Sequence, residues 1–303
     1  MTAKFDIATL KKNPSSPRTL FGLVMSGIAG LFTVMAIIPL FIILGYLLTK
    51  GISSLRLQVF TELPPPPLVD GGGFGNAILG TIIMVGIGAL ISVPIGIMAA
   101  IYLSEFSKGS KLAEWIRFAT NVLSGVPSII VGVFAYSAIV LTTKEYSAWA
   151  GGFALAILML PIIVRTTDEA LKLVPEEVRQ ASVGIGANSY QTVLQVVLPA
   201  AIPAIITGVT LAVARAAGET APLLFTALFT QFWPNCNILF LKDFSCDSLL
   251  VEPTASLAVL VYNFAIVPFN NQQELAWAAA FVLVLLVLAT SVISRIATSK
   301  RTY

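Results

Sequence analysis

Histidine is absent from all 303 residues, cysteine occurs twice, and charged side chains make up only 11% of the chain. The missing histidine removes an H-E-x-x-H metalloprotease, a Ser–His dyad and a histidine proton relay. No G-x-G-D aspartyl signature occurs, and no G-x-x-x-x-G-K-[ST] loop that would cradle nucleotide phosphates. An intramembrane enzyme and an ATPase on this polypeptide are therefore both poor readings. The scarcity of charge says most. A soluble domain carries about 25% charged residues, whereas here 57% of residues are hydrophobic and the mean hydropathy is +0.90. The chain reads as an all-α integral membrane protein.

Six apolar runs, near 19–48, 76–103, 118–141, 148–167, 201–229 and 275–296, are long enough to cross a hydrocarbon core, which takes roughly 20 helical residues. The first follows Lys4, Lys11, Lys12 and Arg18. It is longer than a signal-peptide core of about 7–15 residues, and no A-x-A-like site closes it, so a retained span is expected. Residues 1–18 then form a cytoplasmic tail and 19–303 a single transmembrane domain. With the N-terminus inside, the cytoplasmic segments also hold Lys108, Lys111, Arg117, Arg165, Lys172, Arg179, Arg295, Lys300 and Arg301. The external ones hold only Lys50, Arg56, Lys144 and Lys242. This asymmetry places both termini in the cytoplasm. The net charge of +3 is a topology signal and nominates no nucleic-acid partner.

The connecting segments differ in character. The external stretch "LPPPPLVDGGGFG" favours an extended path, and the short 142–147 connection makes its flanking spans antiparallel neighbours. The external segment 230–273 reads as polar and irregular, long enough either to dock a partner or to act as a lid. Cys236 and Cys246 lie within it as a candidate disulfide, with two free thiols as the alternative. On the cytoplasmic side, 168–200 reads "DEALKLVPEEVRQASVGIGANSYQTVLQVVLP". Pro175, Glu176 and Glu177 suit a first helical turn, and Gly184 or Gly186 suits a left-handed stop. Asn188 and Gln191 have capping-box spacing for a second helix running to Pro199. Val174, Val178 and Ala181 share one face of this helical hairpin.

The hairpin resembles the cytoplasmic EAA motif of ABC importer permeases, E-A-A-x3-G-x9-I-x-L-P. Gln180, Ala181, Ser182, Gly186, Val196, Leu198 and Pro199 stand at its positions, with Gln for Glu, Ser for the second Ala and Val for Ile. "GGGFGNAILGTI", "PIGIMAAIYLSEF", "LSGVPSIIVGVF", "LPIIVRTTDEALKLVP" and "RAAGETAPLLFTALF" narrow the likeness, over about 71–229, to the PstA-type permeases of the phosphate-specific importer. The resemblance implies a six-helix, MetI-like type I permease, with a core near 71–296, in a bacterial inner membrane. It also implies a second, PstC-type permease, two PstB-type ATPase subunits that bind the ATP–Mg, and a PstS-type phosphate-binding protein outside. This chain itself would hold no cofactor. Pro175 to Gly186, including Glu176, Glu177, Arg179, Gln180, Ala181 and Ser182, would be the docking element for the ATPase.

"ARAAGETAPLLFTA" carries the remaining chemistry. Arg215 lies twelve positions beyond Pro203, or ~18 Å along a helix, near the midplane of a ~30 Å core. Glu219 follows at i+4 on the same face. Gly218 and Pro222 interrupt the helix between and beyond them, a pattern that points to a substrate pathway. A guanidinium matches phosphate oxygens and stays charged. Arg215 and Glu219 are therefore expected to line an anion path, with Thr220 and Thr226 offering hydroxyls. Arg165 sits at the cytoplasmic mouth or snorkels to the interface. The same logic suits molybdate or sulfate. A secondary anion transporter is the other class, disfavoured by the few acidic residues within spans.

Overall fold

The computed structural model describes residues 16–107, 109–233 and 252–299, whose regular structure is helical throughout. Helix α1 spans Pro17–Ser53 and is apolar on every face, as a membrane span must be. Residues Met1–Thr49 form one unit and Lys50–Tyr303 a second. After the end of α1 and a 3-10 helical turn at Leu57–Phe60, the second unit continues with α2 (Gly75–Ile101), which runs on as a π-helical turn at Tyr102–Phe106. Helix α3 (Lys111–Gly125) precedes α4 (Ser128–Ala135), which continues through a π-helical turn to Thr143. Then come α5 (Ala148–Lys172), α6 (Glu176–Gly184) and α7 (Ser189–Ala217). The last helices are α8 (Ala221–Thr226), α9 (Leu257–Ala265) and α10 (Asn270–Ser299).

The six expected runs appear as five unbroken spans, α1, α2, α5, α7 and α10, and one broken pair. The run at 118–141 is not one straight helix, because α3 and α4 meet at 105°. The cause is local. Pro127 drives the preceding residue out of the helical region, and Val126 adopts φ −73°, ψ 129°.

Two further expectations change. The helix opened by the Asn188–Gln191 capping box does not end at Pro199 but continues to Ala217. A π-helical turn at Val193–Val197 lies just ahead of Pro199, and such a widened turn accommodates the backbone bond that proline cannot donate. The span read as 201–229 therefore starts earlier and stops twelve residues sooner. The segment 230–273, read as external, is also less irregular than its polar residues suggest, since α9 lies within it with Leu257, Val259 and Leu260 fully buried. Ser256 caps α9, accepting a bond from the Val259 N–H at 3.3 Å.

The parallel pair α2 and α5 forms the centre, with Gly88 against Leu155 and Gly96 against Ile163. Met84, Leu155, Met159 and Ile163 are buried there with Ala212 and Ala216 of α7. A second cluster joins α9, α10 and the start of α2, including Phe74, Leu257, Leu260 and Ala279. Thr81 links the two regions by accepting the Leu257 N–H at 2.9 Å while donating to the Ala77 carbonyl. Thr81→Val is expected to lose about 1–3 kcal/mol by leaving a buried donor unpaired, whereas Thr81→Ser keeps it. Thermal unfolding of the purified protein in detergent measures the difference.

Candidate functional site

The depth of Arg215 follows from helix register. A Cβ added at Gly208 of α7 would lie 2.2 Å from Thr166 Oγ1 of α5, so the two helices cross closely there. Ile205 packs with Ala170 and Leu171, while Ala212 and Ala216 pack with Met159 and Leu155, so the helices run antiparallel. Arg215 is seven residues beyond Gly208, about 10 Å along the axis. That sets it level with residue 159 or so, near the middle of the 25-residue α5. The position rests on packing rather than on where an apolar run begins.

At that depth Arg215 is open. Its side chain is 59% exposed, and it continues an exposed α7 face that includes Ala204, Thr207 and Leu211. Glu219, only 16% exposed, stands with Oε1 3.6 Å from Arg215 Nε. The pair spans the end of the helix. The Gly218 and Glu219 N–H groups bond to the carbonyls of Arg215 and Ala216 at i−3, tightening the last turn before the chain leaves it. Gly218, Glu219 and Thr220 form a full stop, stronger than the expected kink, and Pro222 lies inside the first turn of α8.

Helix α8 is held from two sides. A Cβ at Gly132 of α4 would come within 2.7 Å of Pro222 Cα, and one at Gly151 of α5 would meet Leu223 and Ala227 at 3.2 Å. The segment that follows the α7 break is thus clamped between α4 and α5. Thr220 is half-buried at the break. Thr226 is fully buried and donates to the Pro222 carbonyl at 2.8 Å, so its hydroxyl is committed and does not face an open path. Arg165 is exposed on the C-terminal half of α5, paired with Glu169 one turn on at 3.3 Å.

The hairpin at 175–200 has two distinct sides. Pro175 precedes α6 in an extended conformation, and Glu176, Glu177, Gln180 and Ala181 are exposed. Gly186 takes φ +92° at the turn, and Asn188 and Gln191 exchange both capping-box bonds at 2.9 Å. Val178 and Ala181 are exposed and do not share a buried face with Val174. Arg179 and Ser182 turn inward instead of toward a docking partner. Arg179 pairs with Glu105, and Ser182 is buried 3.0 Å from the Thr192 hydroxyl. The outward surface carries Leu173, Val183, Ile185 at 88% exposure, Tyr190 and Leu194.

Two features escape sequence reasoning. Glu105 lies in a stretch read only for its likeness, and Asp168 joins Arg117, 51 positions away, at 2.9 Å. Lys172 completes that cluster from i+4, which sequence spacing does offer. Cys236 and Cys246 lie outside the described residues. Among the described residues, no group of three or more Asp, Glu, His or Cys side chains is arranged to hold a metal ion.

Comparison with known proteins accords with this arrangement. The family described as "Binding-protein-dependent transport system inner membrane component" matches residues 92–302. The Phosphate transport system permease protein PstA of Haemophilus influenzae is 42% identical over 274 residues, 90% of this chain and 92% of its own. That of Yersinia pestis is 41% identical over 253 residues, 84% of this chain and 81% of its own. Among solved structures, a chain of the MetNI methionine ABC transporter in an inward-facing form superposes with TM-score 0.61 at 19% identity, covering 75% of this chain and 95% of its own. A chain of a bacterial alginate ABC transporter gives 0.59 at 12% identity, covering 93% and 96%. These two likenesses speak to the fold alone. The chain belongs to the PstA family of phosphate transport permease proteins, within the binding-protein-dependent transport system inner membrane components.

Proposed function

We propose that this chain is the permease subunit of an ATP-driven ABC importer, carrying inorganic phosphate inward from an extracytoplasmic binding protein. The observation that carries the reading is Arg215, exposed on one face of α7 at mid-depth. An arginine facing hydrocarbon at that depth costs about 2.5–3.5 kcal/mol on insertion scales and more in simulations. The exposed face must therefore meet protein or water, and a second, PstC-type permease covering it would enclose a path between the two subunits. Arg215 then offers its guanidinium fork to the phosphate oxygens. Glu219 holds the arginine when the path is empty and keeps anion binding weak enough for release. Thr220, at the helix stop, is available to the same path, and Arg165 lies nearer the cytoplasmic mouth.

The outward surface of the hairpin supports its reading as the seat of a PstB-type ATPase subunit. Leu173, Val183 and Ile185 are large, apolar and exposed, and such groups gain most when a partner removes them from water. ATP–Mg then resides on the two ATPase subunits, with this chain non-catalytic and free of bound cofactor. A PstS-type protein delivers phosphate on the external side, and both termini are cytoplasmic in a bacterial inner membrane. Reconstitution with the partner subunits and binding protein tests the whole reading. ATP-dependent uptake of phosphate, with sulfate and molybdate left behind, is expected; uptake independent of ATP, or equal for the three anions, would overturn it.

A further inference from the structure

The inner end of α2 is a widened π-helical turn, Tyr102–Phe106, whose side chains reach both arms of the hairpin. Glu105 pairs with Arg179 on α6, and the Phe106 ring stacks beside Tyr190 at the start of α7, centroids 5.1 Å apart. Arg179 also donates from Nη2 to the Leu171 carbonyl in the last turn of α5, at 2.7 Å. Its Nε lies 3.6 Å from Glu176. The Arg179 and Glu105 side chains are only 15% and 10% exposed, so solvent and salt screen this pair far less than a surface one. One guanidinium, with its rigid fork of donors, therefore joins α2, α5 and α6 at a point.

The same π-helical turn grips α3 on its other side. Arg117 donates to the Leu103 carbonyl at 3.2 Å, and the Tyr102 hydroxyl lies 3.2 Å from Ser110 Oγ. Arg117 continues to Asp168 on α5. A displacement of the hairpin thus has a continuous route through Glu105 to α2 and on to the bent α3–α4 pair. Helix α4 of that pair packs against Pro222 of α8, just beyond the break that follows Arg215.

We propose that Arg179 is a positioning residue for energy coupling: it ties α6 to the π-helical end of α2, so that force on the hairpin moves α2 and α3. This rests on the reading of α6 as the ATPase-docking helix. A surface-facing arginine would instead contact the ATPase directly and leave α2 unattached. The π-helical turn suits the role because its backbone bonding is less favourable than that of an α-helix.

The test uses the complete transporter in proteoliposomes and reads phosphate imported per ATP hydrolysed. Glu105→Gln and Arg179→Met are expected to copurify with the ATPase subunits and still hydrolyse ATP, while the ratio falls about tenfold, a typical coupling effect. Arg179→Lys should keep an intermediate ratio. In a background with Cys236→Ser and Cys246→Ser, the pair Glu105→Cys and Arg179→Cys should be uncoupled until a short thiol-reactive cross-linker joins them. A wild-type ratio in Glu105→Gln overturns the proposal, as does loss of assembly with normal coupling in the surviving complexes, or a cross-link without effect. Ile185→Asp separates the underlying reading: it should reduce copurification of the ATPase, and if it does not, docking at this hairpin is wrong whatever the coupling ratio shows.

Discussion

Arg215→Gln is expected to lower phosphate uptake by about one to two orders of magnitude while the transporter still assembles. A hydrogen bond to a charged group contributes about 1.5–3 kcal/mol, and each 1.36 kcal/mol is tenfold in rate. The side chain is 59% exposed in this subunit and packs into no buried cluster, so its removal leaves the α5–α7 contact intact. Arg215→Lys keeps the charge and loses the planar fork, and uptake between the two extremes is expected. Glu219→Gln has a different signature. Freed of its carboxylate partner, Arg215 should hold the anion longer, so maximal uptake falls while the half-saturating phosphate concentration also falls. Initial rates of labelled phosphate uptake, normalised to assembled complex, distinguish these outcomes. Full-rate uptake by Arg215→Gln would remove the guanidinium from the pathway.

Gly80→Val should deplete the folded protein. An added Cβ would stand 2.0 Å from the Ala255 carbonyl oxygen and 2.6 Å from Thr254 Cγ2. The opposing segment cannot retreat easily. The Thr254 N–H bonds to the Ala227 carbonyl at 3.0 Å and the Leu257 N–H to Thr81 at 2.9 Å. Overpacking costs about 1–3 kcal/mol and occasionally more, and a contact against pinned backbone belongs at the upper end. Against a total stability of about 5–15 kcal/mol, that is enough to lower membrane abundance several-fold. Gly86→Val is the control, because nothing lies within 4 Å of a Cβ there. Equal membrane levels and unfolding midpoints for the two variants would show that α2 and the α9 entry do not meet as described.

Much of the fold was legible because its signals are local. Hydropathy over one bilayer thickness located the spans, and the capping box at Asn188 and Gln191 formed with both bonds. The i, i+4 spacing of Arg215 and Glu219 pointed to their pairing, although α7 ends at Ala217 and the tightened turn beyond it is what brings Glu219 to Arg215. Helix α9 was hidden because a nine-residue helix is too short to register as a span, and polar neighbours diluted its apolar residues. The bend between α3 and α4 was foreshadowed by Pro127, but an apolar run of full length outweighed one proline in the reading. Arg179 was grouped with its exposed neighbours because the motif lies along the chain, whereas facing is set by where Glu105 stands.

The amino-acid sequence alone determined that this is an all-α, multi-pass membrane protein with an EAA-spaced hairpin and a charged turn in its fifth apolar run. Each of those properties depends on residues within a few turns of one another, or on a length of chain matched to the bilayer. Tertiary structure alone decided the exposure of Arg215 level with the middle of α5, the committed hydroxyl of Thr226, the inward turn of Arg179 and the meeting of Arg117 with Asp168. These follow from which helices cross and at what register. Here that is set by close approaches such as Gly208 against Thr166 and Gly132 against Pro222, contacts between residues far apart along the chain.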